Sequence, residues 1–530
     1  MSTVNECSTR QTKMEVVLVV FLICVLLHCG RIEAQICEIN GCEALERSQM
    51  NLKEFSDSLE EKDSGGYLVQ LERRLRSLEQ PVWEISKSNE RWIDCGKGPC
   101  KCRPETKSLI CWQNDLTTIP ANQVVPHDVK AIDLGINTLT TLNKNAFASL
   151  SYLSELDLFD NQLDHLPGNI FALLESLKYL RLHKNKIEDL APTLLSSQRN
   201  LQTFDISDNL LKDLPDDLFS STPNLILLHL SRNQLKRFPE KMLNKLDRLE
   251  DLDVSNNLLE TLPKFAFVDL ISLRRLFLAE NNISILPTGV FDHLSSLEQL
   301  NLRKNQISHL APNIFDKLQN LKVLQLTNNK IGQVAVDDFR KLTNIIELHL
   351  GQNFIIEIPE NTFVENRNME KLFLFSNNLE ELKERTFNGL ISLTSLLINN
   401  NILKEIHSRV FSYTPSVQKL HLDSNKFHYL PSKSLDFLQE LVSIKLAKNP
   451  WHCDCNILYL AIWVDENRNK VWDSQPSCRG PGDLGGSLLS EMGFENLCDG
   501  QWASMMNLSP RVPVNKLHEE IEKVGDMAKE

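Results

Sequence analysis

The chain has 530 residues and a formal net charge of −13 at pH 7, and it is 42% hydrophobic and 24% charged. The hydrophobic share is large enough for an extensive core, whereas the negative charge argues against binding to nucleic acid or other polyanions. The sequence contains no P-loop, H-E-x-x-H or G-x-S-x-G motif, and its 13 histidines follow no known metal-ligand spacing. It therefore predicts neither an enzyme nor a bound metal or cofactor.

The first element in chain order is an unbroken apolar run of twelve residues, 16–27. A membrane-spanning helix needs about twenty residues, whereas this run has the length of a signal-peptide core. Ala34 supplies a small residue for cleavage shortly after the run. We predict a signal peptide over residues 1–34 and a secreted mature chain without a membrane span. The alternative is an uncleaved anchor.

Residues 35–94 are predicted to form a helical flank. Apolar residues recur at helical spacing in two groups, and the segment 62–67 between them, KDSGGY, indicates a turn. The two resulting stripes either pack on each other and on the cysteine-rich segment 95–128 that follows, or form a coiled-coil contact with another chain. The stripe residues are Leu52, Phe55 and Leu59, then Leu68, Leu71, Leu75 and Leu78.

The cysteines predict disulfides. Removal of residues 1–34 takes three of the 13 cysteines and leaves ten, an even number in an exported chain. We expect a bridge between the first two, with an intermolecular bond as the alternative, and we disfavour zinc because the compartment is oxidising. The ten form three groups, which are Cys37 and Cys42; Cys95, Cys100, Cys102 and Cys111; and Cys453, Cys455, Cys478 and Cys498.

Between the last two groups, an asparagine recurs every 24 residues, from Asn137 to Asn449. Around each of these ladder asparagines the pattern is L-x-x-L-x-L-x-x-N-x-L, and Phe lies ten residues later in ten of thirteen repeats. The L-x-L portion indicates a strand with both leucines on one face. One repeat cannot bury its own apolar side, so the copies must stack on one another.

This pattern resembles the leucine-rich repeat family. The resemblance implies an α/β solenoid over residues 129–448, a horseshoe with a parallel concave β-sheet. It also implies that each ladder asparagine is buried and bonds to backbone groups at the turn. The cysteine groups within residues 95–128 and 449–499 resemble the two caps of Toll, Slit and acid-labile-subunit proteins. The family pairing would be Cys95–Cys102, Cys100–Cys111, Cys453–Cys478 and Cys455–Cys498, which spacing alone does not fix.

Residues 500–530 are predicted to be a linker and a short amphipathic helix. Its apolar residues, from Val514 to Val524, follow helical spacing over about two heptads, which is marginal for an isolated helix.

Two N-glycosylation sequons begin at Asn282 and Asn507. The second is weakened by Pro510, which follows its serine directly.

The stretch KLFLFSNN, residues 371–378, contains an aromatic pair that the repeat register places outside. Phe373 and Phe375 lie four and two residues before ladder Asn377, so they face solvent while Leu372 and Leu374 face inward. Exposed aromatic residues with a polar rim often mark interaction sites. We therefore predict a partner-binding site on the concave face, formed by Phe373, Phe375 and Leu397, flanked by His349 and His421, with Phe277 as a further outward aromatic residue.

The earlier repeats place mainly carboxylates on the same predicted face. This surface is either neutralised by nearby Lys178, Arg181 and Lys184, or it is a site for a basic ligand. The residues are Asp133, Glu155, Asp157, Asp160, Asp205, Glu250, Asp251 and Asp253.

These features predict a secreted protein that binds an extracellular protein or glycoprotein partner through the concave face, in recognition, adhesion or an innate-immune type of interaction. The alternative is a structural component of an extracellular complex or matrix that self-associates through its flanking helices. Because this fold hosts many unrelated ligands, the sequence does not name the partner.

Overall fold

The computed structural model describes residues 64–86, 92–472 and 474–498. The chain divides into two units, residues 1–73 and 74–530, and the first is described only over part of one helix. The predicted signal peptide, the first flank helix, Cys37, Cys42 and the C-terminal helix lie outside the described residues. Within the described ranges, no helix is long and apolar enough to cross a membrane.

The main element of the second unit is a sheet of sixteen strands. The first two strands of this sheet pair antiparallel, and every later pair is parallel. From the third strand onward, each strand of this sheet is three residues long and begins six residues before a ladder asparagine, so that partners such as Leu252 and Leu276 are 24 residues apart. The strands are β2 Lys101–Arg103, β3 Ser108–Ile110, β5 Ala131–Asp133, β6 Glu155–Asp157, β7 Tyr179–Arg181, β8 Thr203–Asp205, β9 Leu227–His229, β10 Asp251–Asp253, β11 Arg275–Phe277, β12 Gln299–Asn301, β13 Val323–Gln325, β14 Glu347–His349, β15 Lys371–Phe373, β17 Ser395–Leu397, β19 Lys419–His421 and β20 Ser443–Lys445.

The core lies on one side of this sheet. The middle residue of each repeat strand is buried, as is the leucine, isoleucine or valine three residues before each ladder asparagine. Opposite the sheet, the recurring phenylalanines form a stacked column in which Phe267, Phe291, Phe315, Phe339 and Phe363 follow one another at ring-centroid separations of 6.2–6.4 Å. The apolar interior of each repeat is thus covered by the repeats on either side of it, as stacking requires.

The ladder asparagines hold the turn that ends each strand. All fourteen are buried, and Asn305 illustrates their bonding. Its Oδ1 accepts a hydrogen bond from the Ile283 amide at 3.0 Å, and its Nδ2 donates to the carbonyls of Leu278 at 2.9 Å and Leu302 at 3.1 Å. The residue before each ladder asparagine has a positive φ, 53° at Lys304, a conformation that is uncommon outside glycine. The asparagine bonds stabilise this left-handed turn.

The return segments of the repeats contain mostly turns. Within residues 131–448 they include one 3₁₀ helix, Val410–Tyr413, and one two-stranded sheet in which β16 Glu381–Leu382 pairs with β18 Glu405–Ile406. The predicted solenoid with a parallel sheet is confirmed, and its return side is built mainly from turns.

The N-terminal flank packs on the first repeats through residues 76–86. The segment comprises the end of helix α1 (Ser64–Glu79) and strand β1 (Glu84–Ser86), which pairs parallel with β4 (Val124–Pro126). Trp83 is buried, with its ring centroid 5.9 Å from that of Phe147. Ser77 Oγ donates to the Leu142 carbonyl at 2.8 Å.

The last two leucines of the α1 stripe do not make this contact. Leu75 and Leu78 are exposed, whereas Ser77 between them is buried and Arg76 forms an ion pair with Asp164 at 3.1 Å. The sequence leaves open whether the stripe packs within the chain or pairs with another chain, and at the described end of α1 the polar residues Arg76 and Ser77 contact the repeats while the leucines face solvent. The reason is that Trp83, just beyond the helix, supplies the apolar contact.

Both ends of the solenoid carry disulfides. The short helix α2 (Trp92–Cys95) leads into the N-terminal pair, and helix α3 (Leu458–Glu466) and the short helix α4 (Phe494–Leu497) lie among the C-terminal pair. The four bridges are Cys95–Cys102, Cys100–Cys111, Cys453–Cys478 and Cys455–Cys498, the pairs that the family resemblance implies.

The C-terminal end also extends the core. Trp451 is fully buried, its indole Nε1 donates to the Leu446 carbonyl at 3.1 Å, and its ring stacks on Phe427. Residues around Val471 bridge to Ile444, the middle residue of β20, so the last strand of the sheet has a partner. Three more 3₁₀ helices lie here, Cys455–Ile457, Gly482–Leu484 and Leu489–Glu491.

Candidate partner-binding surface

The surface predicted to bind a partner is the solvent face of the sheet, made by residues six, four and two before each ladder asparagine. The residue between the first two of these is buried in every repeat strand, so the backbone alternation predicts this face correctly. Side chains on it meet across strands, because parallel neighbours pair in the same register throughout.

Four of the predicted site residues form one row across neighbouring strands. His349 on β14 is opposite Phe373 on β15, which is opposite Leu397 on β17, which is opposite His421 on β19. The rings of His349 and Phe373 stack with centroids 4.2 Å apart. All four side chains are half-buried, so the row forms a surface that packs against the sheet and is only partly exposed to solvent.

Phe375 lies beside this row, one repeat beyond a glycine that it covers. A Cβ on Gly351 would lie 2.6 Å from Cε1 of the Phe375 ring, so the close approach of ring to backbone requires glycine there. The same arrangement occurs near the N-terminal end, where Phe159 covers Gly135 and stacks on His183 at 5.0 Å. We call Phe373, Phe375 and Leu397, with His349 and His421, the aromatic patch.

Phe277 does not join the aromatic patch. It is half-buried at the end of β11, four strands before Phe373, which corresponds to roughly 19 Å at the usual strand spacing. The structure therefore separates it from the residues with which the sequence grouped it.

Charge at the edge of the aromatic patch is organised around Glu347. Its carboxylate is 2.7 Å from Lys371 Nζ and 3.1 Å from His349 Nε2. Burial raises the pKa of Glu347, but the hydrogen bonds from Lys371 and His349 outweigh it, and the net pKa is below the ordinary value. Burial dominates at His349 and lowers its pKa, so this imidazole stays neutral over a wider range of pH.

Sequence reasoning missed the most exposed apolar pair near the aromatic patch, Phe354 and Ile356, which are 54% and 53% exposed. They lie one and three residues after ladder Asn353, on either side of the fully buried Ile355. The signal was available in the N-x-L part of the repeat, because its apolar residue two positions after the asparagine, here Ile355, faces inward and leaves the positions on either side of it facing outward. The Gln352 amide donates to the Phe375 carbonyl at 2.8 Å, which puts this pair at the edge of the sheet next to the aromatic patch.

The acidic part of the solvent face contains internal ion pairs. Arg181 is 3.1 Å from Asp157, and Arg275 is 2.8 Å from Asp251. Sequence reasoning named Arg181 as a neutralising residue, but it did not pair Arg275 with this region. Near the N-terminal end, burial raises the pKa of Asp133, and the neighbouring Asp157 carboxylate adds to the increase.

The sequon at Asn282 is in the segment that follows a ladder asparagine. Both Asn282 and Ser284 are exposed, so the site is sterically open, and its occupancy stays a prediction. The second sequon, at Asn507, lies outside the described residues. In the ranges that the structure covers, no cluster of three or more His, Cys, Asp or Glu side chains could hold a metal ion.

Two family models together match most of the described solenoid. The sequence model described as "Leucine rich repeat" matches five overlapping stretches, 104–163, 152–211, 199–259, 247–307 and 297–353. A second model, "BspA type Leucine rich repeat region", matches residues 356–454.

Individual relatives match over short stretches. SLIT and NTRK-like protein 4 of Mus musculus is 34% identical over 56 residues, 11% of this chain and 7% of that protein. Nyctalopin of Mus musculus is 40% identical over 55 residues, 10% of this chain and 11% of that protein. The alignments thus span about a tenth of these relatives.

Solved structures match over a larger share. A leucine-rich repeat protein of Leptospira interrogans covers 69% of this chain and 89% of its own, with a TM-score of 0.60 and 26% identity. The structure of the Toll–Spatzle complex of Drosophila covers 70% of this chain and 61% of its own, with a TM-score of 0.52 and 21% identity. The second likeness concerns the fold alone.

Proposed function

We propose that this chain, which belongs to the leucine-rich repeat family, is a secreted protein that binds an extracellular protein or glycoprotein through the solvent face of its sheet. The interaction would serve recognition, adhesion or an innate-immune type of response. The observation that carries the proposal is the aromatic patch, in which His349, Phe373 and Leu397 are opposite one another on adjacent strands. Binding hot spots are typically aromatic residues within a rim that excludes water.

Two further features support an extracellular binding role. The four disulfides at the ends of the solenoid are typical of proteins that work in oxidising compartments. The negative charge of the N-terminal half of the face disfavours nucleic acid as the ligand. Since the alignments with curated relatives are short, no partner of those proteins is carried over to this chain.

Replacing Phe373 and Phe375 with Ser is expected to reduce capture of the partner from extracellular fluid by about tenfold or more, because it removes both aromatic anchors. The captured proteins would be compared by quantitative mass spectrometry between the wild-type chain and the double variant. The matched control replaces Phe265 and Ile271 with Ser, two exposed apolar residues in a return segment away from the sheet.

The control makes the outcome specific. A protein lost with the sheet variant and retained with the return-segment variant supports the proposal. Equal capture by all three chains would contradict binding through the aromatic patch. Because Phe373 stacks on His349 and Phe375 covers Gly351, circular dichroism of the sheet variant must first establish that it is folded.

A structural role through self-association is the second candidate, and the exposed leucines of α1 favour it. Leu75 and Leu78 face solvent, at 39% and 56% exposure, on a helix whose other side contacts the repeats. Exposed leucines at this spacing are typical of a helix that pairs with another helix. The occupant would be α1 of a second copy of this chain.

We therefore expect the wild-type chain to sediment as a dimer and the variant with Leu75 and Leu78 changed to Ser to sediment as a monomer. The control changes the exposed Arg74 and Glu79 of the same helix to Ser and should remain dimeric. A wild-type mass equal to one chain at micromolar concentration, roughly the range of weak specific dimers, would contradict this candidate.

A further inference from the structure

A histidine on the solvent face is enclosed by carboxylates from both neighbouring strands. His229 ends β9, and its Nδ1 is 4.0 Å from Asp205 Oδ2 on β8, while its Nε2 is 3.8 Å from Asp251 Oδ1 on β10. Asp253, also on β10, is directly opposite His229 in the strand register. We call Asp205, Asp251 and Asp253, together with His229, the carboxylate cluster.

One carboxylate of the cluster is buried and incompletely bonded. Asp251 is only 7% exposed, and its Oδ2 accepts a hydrogen bond from Arg275 Nε at 2.8 Å. Its Oδ1 accepts no hydrogen bond, and the 3.8 Å separation from His229 Nε2 is beyond hydrogen-bond range. A buried carboxylate oxygen without a donor is costly, so Oδ1 would gain a hydrogen bond from any donor that moves into range, such as the protonated His229 imidazole.

The charges of the cluster do not cancel when the histidines are neutral. The three carboxylates, Asp205, Asp251 and Asp253, face one guanidinium, Arg275, which leaves two negative charges (−3 + 1). A second imidazole, His183, has its Nδ1 3.4 Å from Asp205 Oδ2. Protonation of the His229 imidazole would reduce this net negative charge from two to one.

We propose that the carboxylate cluster binds a cationic side chain, arginine or lysine, of an extracellular protein, and that protonation of His229 releases it. The imidazolium and the ligand's cation compete for the same carboxylate oxygens, so one excludes the other. This region is centred on β9, six strands and roughly 29 Å from Phe373 on β15, so it is a second recognition surface, separate from the aromatic patch.

The direction of the pH effect follows from the surroundings of His229. Burial would lower the pKa of this imidazole, but the Asp251 and Asp205 carboxylates, with Asp253, outweigh it and raise the pKa above the ordinary value. The imidazolium therefore forms on mild acidification, while the cluster attracts cations at higher pH. The pKa of His349 in the aromatic patch is lowered instead, so that patch does not change its charge over the same pH range.

The test uses the full chain and a fluorescent oligoarginine peptide, with binding followed by anisotropy at constant ionic strength. We expect affinity about tenfold higher at about pH 7.5 than at about pH 5.5, because ordinary carboxylates stay ionised over this interval and histidines do not. The variant Asp205→Asn with Asp253→Asn should lose about tenfold in affinity at the higher pH. His229→Gln should bind with much less dependence on pH.

The matched control changes the exposed Asp216 and Asp337 to Asn, which alters the net charge equally but lies off the sheet. Equal losses in the two double variants would mean that the peptide responds only to the overall charge of the chain, and the proposal would be overturned. Affinity that is the same at both pH values in the wild type would overturn the release by His229.

A spectroscopic readout separates a role in binding from a role in folding. In NMR titrations, the His229 imidazole should titrate above the ordinary range in the wild type and move to lower pH in the Asp205→Asn, Asp253→Asn variant. Saturation with oligoarginine should lower the His229 titration midpoint, because the ligand's cation disfavours the imidazolium. An unchanged midpoint on peptide binding would contradict competition for the same oxygens.

Discussion

Replacing Phe315 with Ala is expected to lower the free energy of unfolding by about 3–5 kcal/mol, the range for truncating a buried aromatic side chain. Phe315 is 1% exposed, and its ring is 6.4 Å from those of both Phe291 and Phe339. The cavity would lie in the column that joins successive repeats, so neighbouring repeats lose packing together. Urea unfolding followed by circular dichroism measures the effect.

Two comparisons make the result specific to the column. Phe315→Leu should cost much less, about 1 kcal/mol, because leucine already occupies the same register position at Leu195, Leu243 and Leu435. Phe265→Ala, at an exposed phenylalanine one residue from the core, should stay within about 0.5 kcal/mol of wild type. A cost of Phe315→Ala no greater than that of Phe265→Ala would contradict the stacked column.

The parts of the fold that the sequence predicts are those that recur in every repeat. Leucine alternation orients the strands, so the burial of Leu372 and Leu374 and the outward direction of Phe373 and Phe375 follow from register alone. Stacking then follows from the need to cover each repeat's apolar side. The inward residue of the N-x-L part of the repeat, Ile355, would likewise have indicated that its neighbour Phe354 faces outward.

The parts that the sequence did not predict depend on single contacts without a period. Trp83 is an isolated tryptophan in the flank, and nothing in its neighbourhood indicates that it packs on Phe147. The contact of α1 with the repeats does not follow from its leucine stripe, because the polar residue Ser77 makes that contact. The buried oxygen of Asp251 depends on distances across three strands, which spacing in one chain does not give.

The positive φ before each ladder asparagine is a third kind of feature, because it recurs in every repeat but is not indicated by the residue type at that position. The position holds residues as different as Ile136, Lys184, Glu280 and Ser376, all with φ between 51° and 56°. No side-chain type there announces a left-handed turn, because the cost of that conformation is offset by the neighbouring asparagine rather than by glycine.

That dependence leads to a second large effect, at Asn305. Asn305→Ala is expected to destabilise the chain by about 3 kcal/mol, because it leaves the buried Ile283 amide without an acceptor and removes one of the two asparagine donors at each of the Leu278 and Leu302 carbonyls. It also removes the bonds that hold Lys304 in its left-handed conformation. Urea unfolding gives the total cost, and hydrogen exchange at the Ile283 amide should accelerate more than exchange in distant repeats.

The control is Asn320→Ala, an exposed asparagine in the following return segment whose side chain makes one bond, to the Ser295 carbonyl at 2.8 Å. Its loss should cost about 1 kcal/mol, since water can replace the partner.

The variant Asn305→Asp separates the hydrogen bond that Asn305 accepts from those that it donates. Aspartate keeps an acceptor for the Ile283 amide but turns a second oxygen toward two carbonyls, so it should be at least as destabilising as alanine. If aspartate restored stability, the donor bonds to Leu278 and Leu302 would not be what stabilises the turn, and the ladder would act through the single amide that it accepts.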